Sequence, residues 1–171
     1  VYDINPKITK KLEKDNIKTV NNLRAVASNQ FIISILPDTK NVESVYNSDT
    51  GINSYLKPGT IVVDMSTISS SSAIEIGKKL QKDQIEFLDA PVSGGVKGAI
   101  ESNLSIMVGG KKDTFKKSLF ILNSFGKNIV YAGKLGMGQV FKMCNQVMVG
   151  SHIQAMCEAF ALCLSLIHIS E

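Results

Sequence analysis

Two short apolar runs, FIISIL at 31–36 and TIVVDM at 60–65, constrain the fold more than any other feature of the sequence. Neither run alternates apolar with polar residues, so both faces of each strand are expected to be buried, as in parallel sheets covered by helices. Segments with helical patterns of about ten residues separate these and the other predicted strands, which indicates βαβ units. The chain is therefore predicted to be an α/β protein with a doubly wound, mostly parallel sheet.

Composition narrows the classes of function. The 171 residues are 44% hydrophobic and carry a net charge of +4. The lysines are scattered and Arg24 is the single arginine, so no nucleic-acid partner is predicted. No uninterrupted apolar run reaches the ~20 residues of a membrane helix, so no membrane partner is predicted either. The three cysteines form no C-x-x-C pair and are interpreted as reduced thiols.

Ligands of open α/β sheets bind beyond the carboxyl ends of the strands, so the loops there are the candidate site. Asp3 ends the first predicted strand. In dinucleotide folds an acid at such a position binds the ribose hydroxyls, about 20 residues after a glycine loop that would here precede Val1. The alternative is an acid that merely caps a turn or helix.

The next two strand ends carry weaker signals. Pro37 lacks an N–H group and is expected to shape its loop. Asn41 is either a cofactor donor or the cap of the following helix. In the STISSSS cluster at 66–72 most hydroxyls are expected to cap a helix. Thr67, nearest the strand end, is the best ligand candidate.

The segment DAPVSGGVKGA at 89–99 predicts an anion site. Ser93 supplies a hydroxyl, and Gly94 and Gly95 allow successive backbone N–H groups to converge on a carboxylate or phosphate. A flexible glycine turn is the alternative.

The stretch GKLGMGQVFKMCNQ at 133–146 looks like a dinucleotide fingerprint, but Phe141 stands where the third glycine is required. It is instead predicted to begin a long helix. Lys142 and Asn145 are three residues apart and share a face of that helix. Lys142 is either a solvated lysine or an acid–base group. His152 and His168 have no partners at metal-ligand spacing, so no metal is predicted.

Six segments occur in order along the chain: VYDINP, ILPDTKNVESVY, VVDMSTI, DAPVSGGVKGA, MVGG and GMGQVFKMCN. Together they resemble the β-hydroxyacid dehydrogenases, and within that family the 3-hydroxyisobutyrate dehydrogenases, over residues 1–161. The pair DAPVSGG and G-x-G-x-x-x-K-x-x-N is the most specific part. The resemblance implies an NAD-dependent oxidoreductase acting on a small 3-hydroxy acid, with a homo-oligomer as the full-length form.

The resemblance also implies roles for ten residues. The expected catalytic residues are Lys142 and Asn145, and the expected substrate-binding residues are Ser93, Gly94 and Gly95. The expected cofactor contacts are Asp3, Leu36, Pro37, Asn41 and Thr67.

The same resemblance implies two domains. Residues 1–133 are expected to form a Rossmann domain that lacks its first strand and glycine loop. Residues 134–171 are expected to begin an all-helical C-terminal domain. Residues 164–171 do not resemble the family's continuation and are interpreted as non-native sequence.

Two departures and two alternatives accompany the resemblance. Gln146 replaces a usual second asparagine, and Ser69 and Ser70 replace a frequent Asp-Pro pair. The alternatives are a related enzyme such as tartronate semialdehyde reductase, or a non-catalytic interaction protein on the same fold. The 3-hydroxyisobutyrate dehydrogenases act in valine catabolism, and this implies the mitochondrial matrix in a eukaryote and the cytoplasm in a bacterium.

Overall fold

A computed structural model describes residues 1–48 and 50–167 and places six strands in one sheet. The strands are β1 (Phe31–Ser34), β2 (Ile61–Asp64), β3 (Glu86–Asp89), β4 (Val92–Ser93), β5 (Leu104–Gly110) and β6 (Gly126–Gly133). The helices are α1 (Pro6–Lys14), α2 (Leu23–Val26), α3 (Thr39–Asn47), α4 (Ser70–Lys82), α5 (Gly95–Ile100), α6 (Lys112–Leu122) and α7 (Met137–Ile167). His168 and the rest of the 168–171 segment lie outside the described residues.

The sheet is mixed, with most of its pairs parallel. β1, β2 and β3 pair in parallel, and β6 pairs in parallel with β5. β5 runs antiparallel to β3 and to β4. β4 continues the register of β3 along β5, because Asp89 faces Gly109 and Ser93 faces Ser105. Ser93 therefore lies beyond the carboxyl end of β3.

Helices cover both faces of the sheet. Within β2 the side chain of Val62 packs in one core cluster, whereas Ile61 and Val63 pack in another on the opposite face. The first cluster includes residues of α3 and α4, and the second includes Leu122 of α6. The run at 60–65 is buried on both faces as predicted. The run at 31–36 is only partly so, because Ile32 alone is buried in β1 and Ile35 is 66% exposed. The α/β fold class is confirmed.

The prediction of a first strand at residues 1–4 is wrong. Neither these residues nor residues 18–20 join a strand of the sheet. They are held to each other by two backbone hydrogen bonds, from Val1 N to Lys18 O (2.7 Å) and from Val20 N to Val1 O (2.9 Å). Two bonds are too few to build a ladder, and Val1 stays 59% exposed.

The long helix α7 is buried only at its start. Gly138, Gln139 and Lys142 are its buried residues, and apolar side chains from Phe141 to Ile167 are exposed. Within the described residues α7 is the one helix long and apolar enough to cross a membrane, although a core helix of a larger soluble protein meets the same criterion. The sequence has no uninterrupted apolar run of ~20 residues, and the expectation of no membrane partner stays a prediction. Cys144, Cys157 and Cys163 are unpaired and exposed on this helix.

The start of α7 approaches the sheet closely because two glycines meet there. A Cβ at Gly109 of β5 would lie 2.7 Å from the backbone N of Gly138. A Cβ at Gly138 would lie 2.7 Å from the carbonyl oxygen of Asp89, and it would also clash with the carbonyl oxygen of Met107. These neighbours are backbone atoms, which cannot move aside as a side chain does.

The contact predicts opposite effects for two alanine substitutions on α7. Gly138→Ala should lower the free energy of unfolding by at least ~1–3 kcal/mol, because the methyl group overpacks against β5 and Asp89. Gly150→Ala is the matched control, since nothing lies within 4 Å of a Cβ there. It should raise the free energy of unfolding by ~0.5–1 kcal/mol through helix propensity. Urea denaturation measures both, and equal effects would contradict the packing described.

Candidate active site

Asp89, at the end of β3, fixes the start of α7. Its side chain is fully buried and accepts hydrogen bonds from the backbone N–H of Gly136 (2.7 Å) and of Gln139 (3.0 Å). A carboxylate at a helix N-terminus satisfies amides that have no partner within the helix and interacts favourably with its dipole. The orientation of α7 over the sheet is therefore set by one buried acid.

This orientation brings Asn145 to Ser93. The Asn145 side-chain nitrogen lies 3.5 Å from the Ser93 hydroxyl oxygen, a long hydrogen bond that joins α7 to β4. Gln146 is exposed and accepts a hydrogen bond from Asn145 at 3.2 Å. The side-chain amide of Gln146 therefore helps to orient Asn145. Glutamine can do this although its side chain is longer than that of the asparagine usual at this position.

Lys142 lies on the same face of α7, one turn before Asn145. It is 8% exposed, and its ammonium makes no hydrogen bond or ion pair with any described residue. Burial lowers the pKa of Lys142 below its ordinary value of 10.5. A buried amine without a counter-ion favours its neutral form, which is the form that accepts a proton.

The glycines after Ser93 form an open, strained turn. Gly94 and Gly95 have φ values of 136° and 61°, a region that favours glycine. Both residues are exposed, and α5 begins at Gly95. The first amides of a helix have no partner inside it, so those of α5 remain available next to the Ser93 hydroxyl.

The loops after β1 and β2 are joined through Asp64. This fully buried side chain accepts hydrogen bonds from the hydroxyls of Ser34 (2.7 Å) and Ser66 (2.6 Å). The Ser66 hydroxyl in turn accepts from Leu36 N at 2.8 Å. The N–H of Leu36 is thus occupied, and a cofactor contact by Leu36 would use its side chain or carbonyl. Thr67, which follows Ser66, is exposed.

The structure decides against the interpretation of Asn41 as the cap of α3. The N-cap of α3 is Asp38, which accepts hydrogen bonds from the Asn41 backbone N and side chain, both at 2.9 Å. The alternative in which Asn41 caps the helix is therefore wrong. Asn41 and Pro37 are both exposed. Ser69, by contrast, caps α4 as expected of the serine cluster, by accepting from Ser72 N.

Asp3 lies in a separate part of the surface. It lines a cleft of about 620 Å³ together with Thr19, Asn21 and other residues of the N-terminal segment. Its carboxylate accepts a hydrogen bond from Asn5 N at 2.7 Å. None of the other nine predicted site residues lines this cleft. The structure thus brings together the Ser93–Asn145 group and the Leu36–Thr67 group, with Asp3 apart.

Sequence reasoning missed three residues that organise the site, namely Asp64, Asp89 and Gln139. In the sequence, Asp64 and Asp89 are simply acids at the ends of apolar strands, and this pattern alone does not predict a buried side chain that binds other loops. Gln139 carried no sign of its role, because its partners are 50 to 73 residues away. Among the described residues, no group of three or more His, Cys, Asp or Glu side chains is placed to hold a metal.

Asp89 predicts a specific dependence of stability on pH. Burial raises its pKa to about 6, against the opposing effect of the α7 amides. Because the folded protein holds this proton more tightly than the unfolded chain, the stabilisation is complete below about pH 3.8 and is lost as the pH rises through about 6.

Urea denaturation of wild type and Asp89→Asn should therefore give free energies of unfolding whose difference changes by about 2.4 kcal/mol between pH 4 and pH 7, with wild type losing stability relative to the variant. The variant cannot ionise at this position, so it is the reference against which the pH dependence of wild type is read. A difference that stays constant with pH would contradict a raised pKa at Asp89.

Comparison with known proteins shows which family the chain belongs to. Residues 1–133 match the family model of the NAD binding domain of 6-phosphogluconate dehydrogenase. A probable mitochondrial 3-hydroxyisobutyrate dehydrogenase of Dictyostelium discoideum is 37% identical over 163 residues, which are 95% of this chain and 51% of that protein. The 2-(hydroxymethyl)glutarate dehydrogenase of Eubacterium barkeri is 38% identical over 142 residues, or 83% of this chain and 47% of the relative.

A solved structure has the same fold. The Mycobacterium tuberculosis 3-hydroxyisobutyrate dehydrogenase, determined with L-serine, superposes with a TM-score of 0.88 at 32% identity, covering 96% of this chain and 56% of that one. The chain thus spans about half the length of the curated relatives it matches. The matched domain, the motifs and the fold together show that the chain belongs to the β-hydroxyacid dehydrogenase family and contains its NAD-binding domain.

Proposed function

We propose that the protein carrying this chain oxidises 3-hydroxyisobutyrate to methylmalonate semialdehyde with NAD. The observation that carries the proposal is the largely buried side chain of Lys142, which lies one turn from the Asn145–Ser93 contact and whose ammonium has no partner among the described residues. Burying most of a charged side chain without a counter-ion is costly, and such groups are typical of functional sites. A hydroxy acid bound beside it would supply both a carboxylate and a hydroxyl.

The described residues fit a dinucleotide. The cleft beside Asp3 is open and lined by polar groups, including the hydroxyl of Thr19 and the amide of Asn21. Thr67 and Pro37 are exposed at neighbouring strand ends, where open α/β sheets bind ligands. We propose that Asp3 binds the adenosine ribose and that Leu36, Pro37, Asn41 and Thr67 line the path towards the reacting end. NAD, when bound, accepts the hydride from the substrate carbon.

The substrate carboxylate is proposed to bind at Ser93, Gly94 and Gly95. The positive φ values of the two glycines turn the backbone sharply, and the free amides at the start of α5 present hydrogen-bond donors there. The Ser93 hydroxyl adds a further donor beside them. A side chain at Gly95 would require the strained left-handed conformation, so the open turn depends on glycine.

Lys142 is proposed to be the general base for oxidation and the general acid for reduction. In its neutral form the amine accepts the proton of the substrate hydroxyl as the hydride leaves, and the low pKa caused by burial favours that form. Asn145, which contacts Ser93 and lies one turn after Lys142, would orient the hydroxyl by hydrogen bonding. The same residues can reduce a semialdehyde, so the alternative function with the same chemistry is that of a related enzyme such as tartronate semialdehyde reductase. The retained Lys142 argues against a non-catalytic interaction protein.

The first test measures NADH formation with 3-hydroxyisobutyrate by the protein expressed from its complete reading frame. Lys142→Ala should lower the turnover number by about 10²–10⁴-fold with little change in NAD affinity. Lys116→Ala, which removes an exposed lysine of α6, is the control and should retain wild-type turnover. In wild type the rate of oxidation should rise with pH to a plateau, with an apparent pKa below 10.5, because only the neutral amine accepts a proton. Near-normal turnover of Lys142→Ala would contradict the mechanism.

Asp3 should determine the choice between NAD and NADP. Its carboxylate would repel the 2′-phosphate of NADP, and no arginine follows it in the loop. Asp3→Asn removes the charge but keeps an oxygen that can accept from Asn5 N, so the turn is preserved. The ratio of kcat/KM for NADP to that for NAD should rise at least about tenfold, or ~1.4 kcal/mol. An unchanged ratio would remove Asp3 from the cofactor site.

A further inference from the structure

Gln139 joins the loop after β2 to the helix that carries Lys142. Its side-chain nitrogen donates to Ser66 O (2.9 Å), and its side-chain oxygen accepts from Ile68 N (3.1 Å). The two backbone groups flank Thr67. One amide side chain thus pairs with both neighbours of Thr67, as an adjacent β-strand would.

This pairing determines where Thr67 points. Ser66 and Ile68 are buried while Thr67 is exposed, the alternation of an extended segment. With Ser66 O and Ile68 N held, the backbone on either side of Thr67 cannot rotate to bury its side chain without breaking a buried hydrogen bond. Such a bond contributes ~0.5–1.5 kcal/mol, and leaving a buried partner unsatisfied costs ~1–3 kcal/mol.

Gln139 is itself rigidly placed. Its side chain is 4% exposed, and its own backbone N–H donates to Asp89 at 3.0 Å. Lys142 follows three residues along α7, on the same face, and Asn145 follows three residues after Lys142. The position of Thr67 relative to Lys142 is therefore set by one side chain and less than two turns of helix.

We propose that Gln139 is a positioning residue that holds Thr67 for cofactor binding and fixes the cofactor loop relative to Lys142. This inference rests on the proposed function. In this proposal Gln139 contacts neither substrate nor cofactor, so a substitution of Gln139 changes NAD affinity only through Thr67. That requirement distinguishes it from a glutamine that only contributes to folding.

The test is a double-mutant cycle with Gln139→Ala and Thr67→Val, read as the dissociation constant of NAD measured by calorimetry. Each single substitution should weaken NAD binding by roughly tenfold, and Gln139→Ala should add less than about twofold once Thr67 is already changed. Ser44→Ala, an exposed position on α3, is the control and should leave NAD affinity unchanged.

A second readout uses the cofactor-free protein. Amide hydrogen exchange at Ile68 should accelerate in Gln139→Ala, because its acceptor is lost, and also in Gln139→Glu, because a carboxylate cannot donate to Ser66 O and repels that oxygen. Gln139→Glu keeps the side-chain volume and provides a folded variant should the alanine substitution unfold the protein.

Three results would overturn the proposal: additive effects of the two substitutions on NAD affinity, an unchanged NAD affinity in Gln139→Ala and Gln139→Glu, or unchanged exchange at Ile68. In all three cases wild type would still form NADH and Lys142→Ala would not, so the proposed function would stand. A wild type that neither binds NAD nor forms NADH would instead refute the proposed function, and this inference with it.

Discussion

The site depends on a single buried contact, the carboxylate of Asp89 against the first amides of α7. Asp89 sits where β3 ends, and its hydrogen bonds to Gly136 N and Gln139 N fix the point at which the long helix leaves the sheet. The glycines Gly109 and Gly138 make this approach possible, since any side chain there would meet backbone atoms. Everything on the buried face of α7 takes its position from this contact, including Gln139, Lys142 and Asn145.

From that point a series of hydrogen bonds connects the loops of the site. Asn145 reaches Ser93 on β4, and Gln139 reaches the segment around Thr67. Ser66 and Asp64 carry the connection on to Leu36 after β1. Groups contributed by four separate parts of the chain are thus held in a common framework. Lys142 is the exception, because its side chain is largely buried while its ammonium has no partner among the described residues. We propose that a bound hydroxy acid supplies that partner.

The sequence predicted those features that depend on local pattern. The unbroken apolar runs at 31–36 and 60–65 revealed two strands, of which only the second is fully buried on both faces. The spacing of Lys142 and Asn145 placed them on one helix face. Residues 1–4 failed as a strand because an apolar, β-prone segment forms a strand only where a neighbour offers a ladder, and local pattern does not reveal the neighbour. Asn41 failed as a cap because Asp38, three residues earlier, takes that position.

The anchors of the site could not be read from local pattern. Asp89 acts on residues 47 and 50 positions away, and Gln139 acts on residues 71 and 73 positions away. Contacts at such separations are set by how the helices pack on the sheet, and a glutamine that pairs with a loop has the same local signature as one in solvent. The resemblance to a family implied roles for Lys142 and Ser93, but it gave no indication of what holds these residues in place.

The pKa of Lys142 is the quantity that tests its proposed acid–base role most directly. Carbon-13 NMR titration of the lysine side chains, with Lys142→Arg to assign the signal, would report its pKa separately from those of the exposed lysines. The account predicts a pKa below 10.5 for Lys142, and a change in its titration when 3-hydroxyisobutyrate is added in the presence of NAD. A Lys142 that titrates with the exposed lysines, and that does not respond to the hydroxy acid, would contradict its assignment as the acid–base group.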